Sequence, residues 1–106
     1  MIITRGTTPT ITYKFKVVDP SDILVAELTI LQNGNVVIEK TLEDAKLIST
    51  EERRALEWTL TQQETLALKM RPEAEMQLRY RLLDGSAHAT EVTTFPPAKI
   101  LKDGEI

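Results

Sequence analysis

Glu75-Met76-Gln77-Leu78-Arg79-Tyr80-Arg81-Leu82-Leu83-Asp84-Gly85-Ser86-Ala87-His88-Ala89-Thr90-Glu91-Val92-Thr93-Thr94-Phe95 decides the fold class of this 106-residue chain. Met76, Leu78, Tyr80 and Leu82 alternate with Gln77, Arg79 and Arg81. A period of two puts the apolar set on one face of a pleated strand and the polar set on the other. Asp84-Gly85 supplies residues that accept a tight turn, and Ser86 to Phe95 runs back as the second arm of a hairpin. A two-residue loop sets Tyr80 opposite Ala89 and Leu82 opposite Ala87, large against small in one packed layer. It also sets Glu91 opposite Leu78, inside the core, where an unpaired carboxylate costs on the order of several kcal/mol. A β-bulge near Thr90-Glu91 is therefore expected, turning Glu91 outward and Val92 inward.

The same alternation recurs upstream. Ile11, Tyr13, Phe15 and Val17 alternate with Thr12, Lys14 and Lys16 in a strand expected from Thr10 to Val18, after a short first strand over residues 1–5. Asp19-Pro20-Ser21-Asp22 is a turn, because Pro20 presets its own φ and the flanking side chains bond nearby amides. Ile23 to Gln32 follows, with Leu24, Ala26, Leu28 and Ile30 expected on one face, and Asn33-Gly34 turns it into Val36 to Lys40. A two-residue loop there sets Ile30 opposite Val37, and a three-residue loop sets it opposite Ile38. Lys46-Leu47-Ile48 reads as a short edge strand and Glu51-Glu52-Arg53-Arg54 as a solvated loop tip or one helical turn started by Ser49.

Leu56, Trp58 and Leu60 then point inward, with Trp58 as the core anchor. Thr61-Gln62-Gln63-Glu64 has capping-box spacing, predicting a short helix to about Met70 that buries Leu66 with Ala67 or Met70. Arg71-Pro72 ends it, and Pro96-Pro97 ends the last strand. These readings add up to one mainly β domain over residues 1–106. It is expected to be an antiparallel immunoglobulin-like β-sandwich of about seven strands with one short helix.

Composition narrows the function classes. With 42% hydrophobic and 27% charged residues the chain is globular in type, and its length suffices to bury roughly 60 to 70% of the surface of the unfolded form. There is no cysteine, which removes a disulfide framework, a thiolate nucleophile and a cysteine zinc site. A formal net charge of −3 offers no general attraction for phosphate backbones or anionic lipid. No export signal or membrane-spanning stretch is readable, so synthesis in the cytoplasm is expected.

Motifs for chemistry are sparse. The single histidine, His88, is expected on the polar face of its strand, roughly opposite Arg81, with no orienting carboxylate and nucleophile readable beside it. The carboxylates lack calcium-loop spacing, and no glycine-rich phosphate loop is present. No catalytic, cofactor-binding or metal-binding residue is assigned. Lys14, Lys16, Arg79, Arg81 and His88 all project from outward strand faces, and would form a basic patch if the two strands shared a sheet. Cross-strand pairing with Glu39, Glu57 or Glu75 is the plainer reading. Ile100, Leu101 and Ile106 lie beyond the two prolines, on a segment expected to pack along its own edge or to reach a neighbouring subunit, with a frayed tail as the alternative.

Ile3-Thr4-Arg5-Gly6-Thr7-Thr8-Pro9-Thr10, Leu60-Thr61-Gln62-Gln63-Glu64-Thr65-Leu66 and Ile100-Leu101-Lys102-Asp103-Gly104-Glu105-Ile106 resemble a group of small uncharacterised proteins encoded in prophages of Gram-positive bacteria. The likeness covers nearly the full length. The order of strands around a short helix is similar, more loosely, to immunoglobulin-like modules of tailed-phage baseplate and tail-fibre proteins. A true immunoglobulin domain has a cysteine pair and a corner tyrosine, and here there is no cysteine and Tyr80 lies in mid-strand. The resemblance implies a non-enzymatic structural or adaptor protein of a phage tail or baseplate, incorporated into the particle after synthesis. Its partners would be other proteins, tail components or further copies of itself, rather than nucleic acid or membrane. A module recognising a host surface glycan or protein is the alternative.

Overall fold

In the computed structural model, which describes residues 1–106, the alternating segments form eight strands: β1 (Thr10–Lys14), β2 (Ile23–Gln32), β3 (Asn35–Thr41), β4 (Lys46–Ser49), β5 (Arg54–Thr59), β6 (Ala74–Leu82), β7 (Ala87–Ala89) and β8 (Thr93–Phe95). One short helix, α1 (Gln62–Leu66), separates β5 from β6. The strands make two antiparallel sheets, β1-β5-β4 and β3-β2-β6-β7, with β8 also paired to β6. Their inner faces supply one core. Ile11, Leu56 and Trp58 come from the smaller sheet and Leu28, Ile30, Ile38, Met76 and Leu78 from the larger. The protein is an antiparallel β-sandwich.

Trp58 is fully buried, and its indole N–H donates to the Thr41 carbonyl at 2.9 Å. Tyr13 meets its ring edge-on, with centroids 6.3 Å apart. The expected anchor role holds, and the hydrogen bond explains how a tryptophan N–H survives there without a cost.

Several expected details change, each for a local reason. Residues 1–5 make no strand, only a parallel bridge between Thr4 and Ala98 that buries Ile3. β1 stops at Lys14, after which Phe15 makes one more backbone bond to Arg54 and Val17 is 90% exposed. An irregularity between Ile23 and Val25 puts Ile23 in the core and leaves Leu24 exposed. Asn33 and Gly34 form the tight turn with φ of 54° and 76°, pairing Gln32 with Asn35. A bulge then absorbs Val37, so that Ile30 faces Ile38. The loop is the two-residue form and the pairing is the one expected of the longer loop.

The capping box forms as expected. Thr61 Oγ1 accepts from the Glu64 amide at 3.1 Å, and Glu64 Oε1 accepts from the Thr61 amide at 2.9 Å. The helix ends at Leu66 rather than near Met70, and it buries Thr65 and the following Leu68. Side chains from elsewhere capture its exit. Arg5 donates from Nη2 to the Leu66 carbonyl at 3.0 Å and from Nε to the Leu68 carbonyl at 2.6 Å. Buried Gln32 accepts from the Lys69 amide at 2.7 Å and donates to the Pro72 carbonyl at 2.7 Å. Partners this strong draw the chain out of the helix one turn early.

The last hairpin also shifts by one. Leu83, Asp84 and Gly85 form a three-residue loop closed by the Leu82 and Ser86 backbones at 2.9 Å, so Tyr80 faces His88 instead of Ala89. Gly85, at φ of 89°, provides the left-handed position that such loops use. Downstream, Ala89 pairs with Arg79 and Thr93 with Met76, so three residues oppose two. This is the expected bulge, and Glu91 does point outward. Val92 does not turn inward. It is 50% exposed, because Thr90 occupies the inner position and bonds both the N–H and the C=O of Leu78, at 3.1 and 2.9 Å.

Two stability outcomes follow from the core. Replacing Trp58 by Ala should cost about 3 to 5 kcal/mol in urea unfolding, the range for emptying a large aromatic site. Tyr13 Oη is buried with no hydrogen bond of good geometry; burial pushes the phenol's pKa up, and the nearby Thr90 hydroxyl, already bonded to the Leu78 amide, offsets this only in part. Tyr13→Phe should therefore stabilise the fold by about 1 kcal/mol, read as a higher urea midpoint at an unchanged slope.

Candidate functional site

Pairing decides where the charged side chains stand. β1 belongs to the three-stranded sheet and β6 to the other. Lys14 and Lys16 therefore lie on one side of the sandwich and Arg79 and Arg81 on the opposite side, and the basic patch that a shared sheet would have made does not form. Glu57, next to β1, accepts from the Thr12 hydroxyl at 3.0 Å and from Arg53 at 3.1 Å. These bonds, the Thr12 hydroxyl first, hold its carboxyl below the ordinary range. The plainer expectation of pairing between these acids and the strand lysines and arginines is not met either. Glu57 turns to Arg53, while Glu39 and Glu75 enter no ion pair.

The outer face of the five-stranded sheet carries the largest unresolved chemistry. Its cross-strand levels are Val25 beside Arg81, Glu27 beside Arg79, Thr29 beside Gln77 and Leu31 beside Glu75. β3 adds Glu39 beside Thr29 and Val36 beside Leu31, and β7 adds Ala87 and Ala89 beside the two arginines. Five charged groups, Glu27, Glu39, Glu75, Arg79 and Arg81, share this face without an ion pair or a side-chain hydrogen bond among them. Val25, Val36 and Val92 are exposed between them at 43%, 57% and 50%.

Ala87 is too small to fill the space opposite Arg81. The result is a shallow cleft of about 250 Å³ lined by Val25, Glu27, Arg79, Arg81, Ala87 and the edge of the Tyr80–His88 pair. Sequence reasoning found the arginines, with Glu39 and Glu75 as pairing partners, but missed Glu27 and the valines that stand with them. The alternation of β2 carried that signal once its neighbours were known.

His88 is exposed and stacks on Tyr80, with centroids 5.3 Å apart and an interplanar angle of 24°. The position opposite Arg81 expected for it is taken by Ala87. Asp84, Ser86 and His88 are linked, with Ser86 Oγ 2.6 Å from Asp84 Oδ1 and 3.0 Å from His88 Nε2. The order is wrong for nucleophilic catalysis, which needs the imidazole between hydroxyl and carboxylate so that it can take the hydroxyl proton. Here the serine lies in the middle and gives its proton to Asp84, which also accepts the Ser86 amide at 2.8 Å. That is turn chemistry. No group of three or more potential metal ligands comes together elsewhere.

At the chain end, Ile100 packs inward. A Cβ on Gly6 would lie 3.1 Å from Ile100 Cδ1 and 3.4 Å from Leu66 Cδ2, and Gly6 has φ of 76°, so the close approach needs a glycine. Asp103 pairs with Arg5 at 3.0 Å, and the Gln62 amide exchanges hydrogen bonds with the Ile106 backbone at 2.8 and 3.2 Å. Leu101 and Ile106 direct their side chains into solvent.

No protein-family model, curated protein or solved structure matches this chain. No helix is long and apolar enough to cross a membrane.

The Ser86 hydroxyl, then the Ser86 amide, holds the Asp84 carboxyl below its usual range. Ser86→Ala removes the first and keeps the second, so the Asp84 titration midpoint should rise part of the way to the ordinary value. Carboxyl-detected NMR titration reads it, and an unmoved midpoint would show that the hydroxyl does not bond to Asp84.

Proposed function

We propose that this protein is a non-enzymatic structural or adaptor module that works through protein contacts, in the setting of a phage tail or baseplate. The open face of the five-stranded sheet carries this reading, with five charged groups lacking ion-pair partners among exposed valines. Apolar side chains gathered on one exposed sheet face and rimmed by charged groups are the pattern of an interaction surface. The phage setting rests on the motifs at residues 3–10, 60–66 and 100–106. The strand order supports an immunoglobulin-like module, since β1-β5-β4 facing β3-β2-β6-β7 corresponds to the B-E-D and C′-C-F-G order of such sandwiches.

The cleft beside Arg81 favours a second reading, recognition of a host surface group. Its two guanidinium groups suit a carboxylate-bearing glycan or peptide.

The test is to induce particles from the bacterium that encodes the chain and to analyse purified particles by mass spectrometry and immunogold labelling. Stoichiometric presence at the tail, with failed tail assembly on deletion, is expected. Absence from particles that assemble normally without the chain would overturn the adaptor reading. Specific labelling of host cells by the purified chain would then favour recognition.

A further inference from the structure

The charges of the open face are distributed unevenly along the strands. β6 carries Glu75 at one end of the face and Arg79 and Arg81 at the other. The apolar residues are placed symmetrically instead, with Val25 level with Arg81 and Leu31 level with Glu75. A surface in which one end complements the other is complementary to itself after a half-turn.

We propose that the occupant of this face is a second copy of the chain, packed face to face about a two-fold axis that crosses the strands between the levels of Gln77 and Arg79. This deepens the adaptor reading and rests on it, by naming the partner. The half-turn sets Arg81 of one copy over Glu75 of the other, twice, and Val25 over Leu31, twice. Ala89, level with Arg79, falls over Val92, which lines the same groove as Gln77 and Leu31. Glu27 and Arg79 face one another within each copy, and Glu39 stays at the rim on the edge strand.

The other in-plane axis, running along the strands between β2 and β6, is disfavoured by the same register. It sets Arg79 over Glu27, but it also sets Arg81 on Val25 and Glu75 on Leu31, which desolvates four charges against apolar side chains. Sheets that pack face to face hold their strands within about 30° of alignment, which the crossing axis allows.

The face is small. Four strands at ~4.8 Å spacing and six residues at ~3.4 Å rise give a patch of about 20 by 20 Å. Counted on both copies that is about 800 Å², below the range of stable specific interfaces and in the class of weak, transient contacts, so the dimer is weak and concentration-dependent.

Sedimentation equilibrium of the full chain tests this from roughly 10 μM to 1 mM, the span a small interface requires. Reversible dimerisation is expected. Glu75→Arg alone and Arg81→Glu alone should each weaken it by about tenfold or more, and the double variant should recover to within about threefold, since the swap restores opposite charges across the axis. Both residues are exposed, and an unchanged thermal midpoint checks that each variant folds. A monomer at every concentration overturns the proposal, as does a dimer indifferent to the single reversals or one that the swap does not rescue. A monomer that is still built into tails would sink the self-association and leave the adaptor reading standing.

Discussion

The two sheets are joined where the chain crosses between them, and the Trp58 indole holds that crossing. Trp58 sits on β5 of the smaller sheet, and its N–H reaches the carbonyl of Thr41, the last residue of β3 in the larger one. One side chain therefore fills the centre of the core and satisfies a backbone group at the moment the chain leaves one sheet for the other. The geometry is demanding, because a tryptophan buried without a partner for its N–H loses much of what its ring gains. Next to it, the smaller sheet stays thin. Leu56 shares the inner face with Ile11 and Tyr13 of β1, while Ala55, on the opposite face of the strand, is also buried.

A few polar fasteners close the ends of the sandwich. Gln32 bonds the chain leaving α1, Arg5 takes two carbonyls at the same exit, and Thr65 donates to the Thr7 carbonyl at 2.8 Å. At the other end Asp19 accepts from Ser49 at 2.6 Å and from Ser21, which lowers its pKa to about 2, the Ser49 bond being the largest cause. The fasteners link segments far apart in sequence; those at the α1 exit satisfy groups that burial would otherwise leave bare, whereas the Asp19 bonds lie at the surface.

The sheet margins contrast with the open face. β1 and β4 are only five and four residues long, β3 is bulged at Val37, and the β7–β8 margin is interrupted at residues 90–92. Short, bulged and broken margins resist the addition of another strand. The side-chain face of the larger sheet has no such device, and that asymmetry directs attention to face packing over edge pairing.

Period-two alternation settled the strands in the sequence itself, since a strand has two faces and the core accepts only the apolar one. Thus Met76-Leu78, Leu56-Trp58-Leu60 and the Thr61–Glu64 capping box were all legible from local spacing. Registers were legible only in part. A one-residue difference in loop length moves every partner, and the loop after Leu82 and the bulge at Val37 were chosen by packing several strands away. Buried Gln32 and Thr65 were also hidden, because a polar residue reads as surface until its distant partners are known. The candidate face depended most on the tertiary structure. Whether Lys14 stands with Arg79, or Glu27 does, turns on which strands share a sheet, and that is decided by closure of the whole core, which no local stretch of sequence encodes.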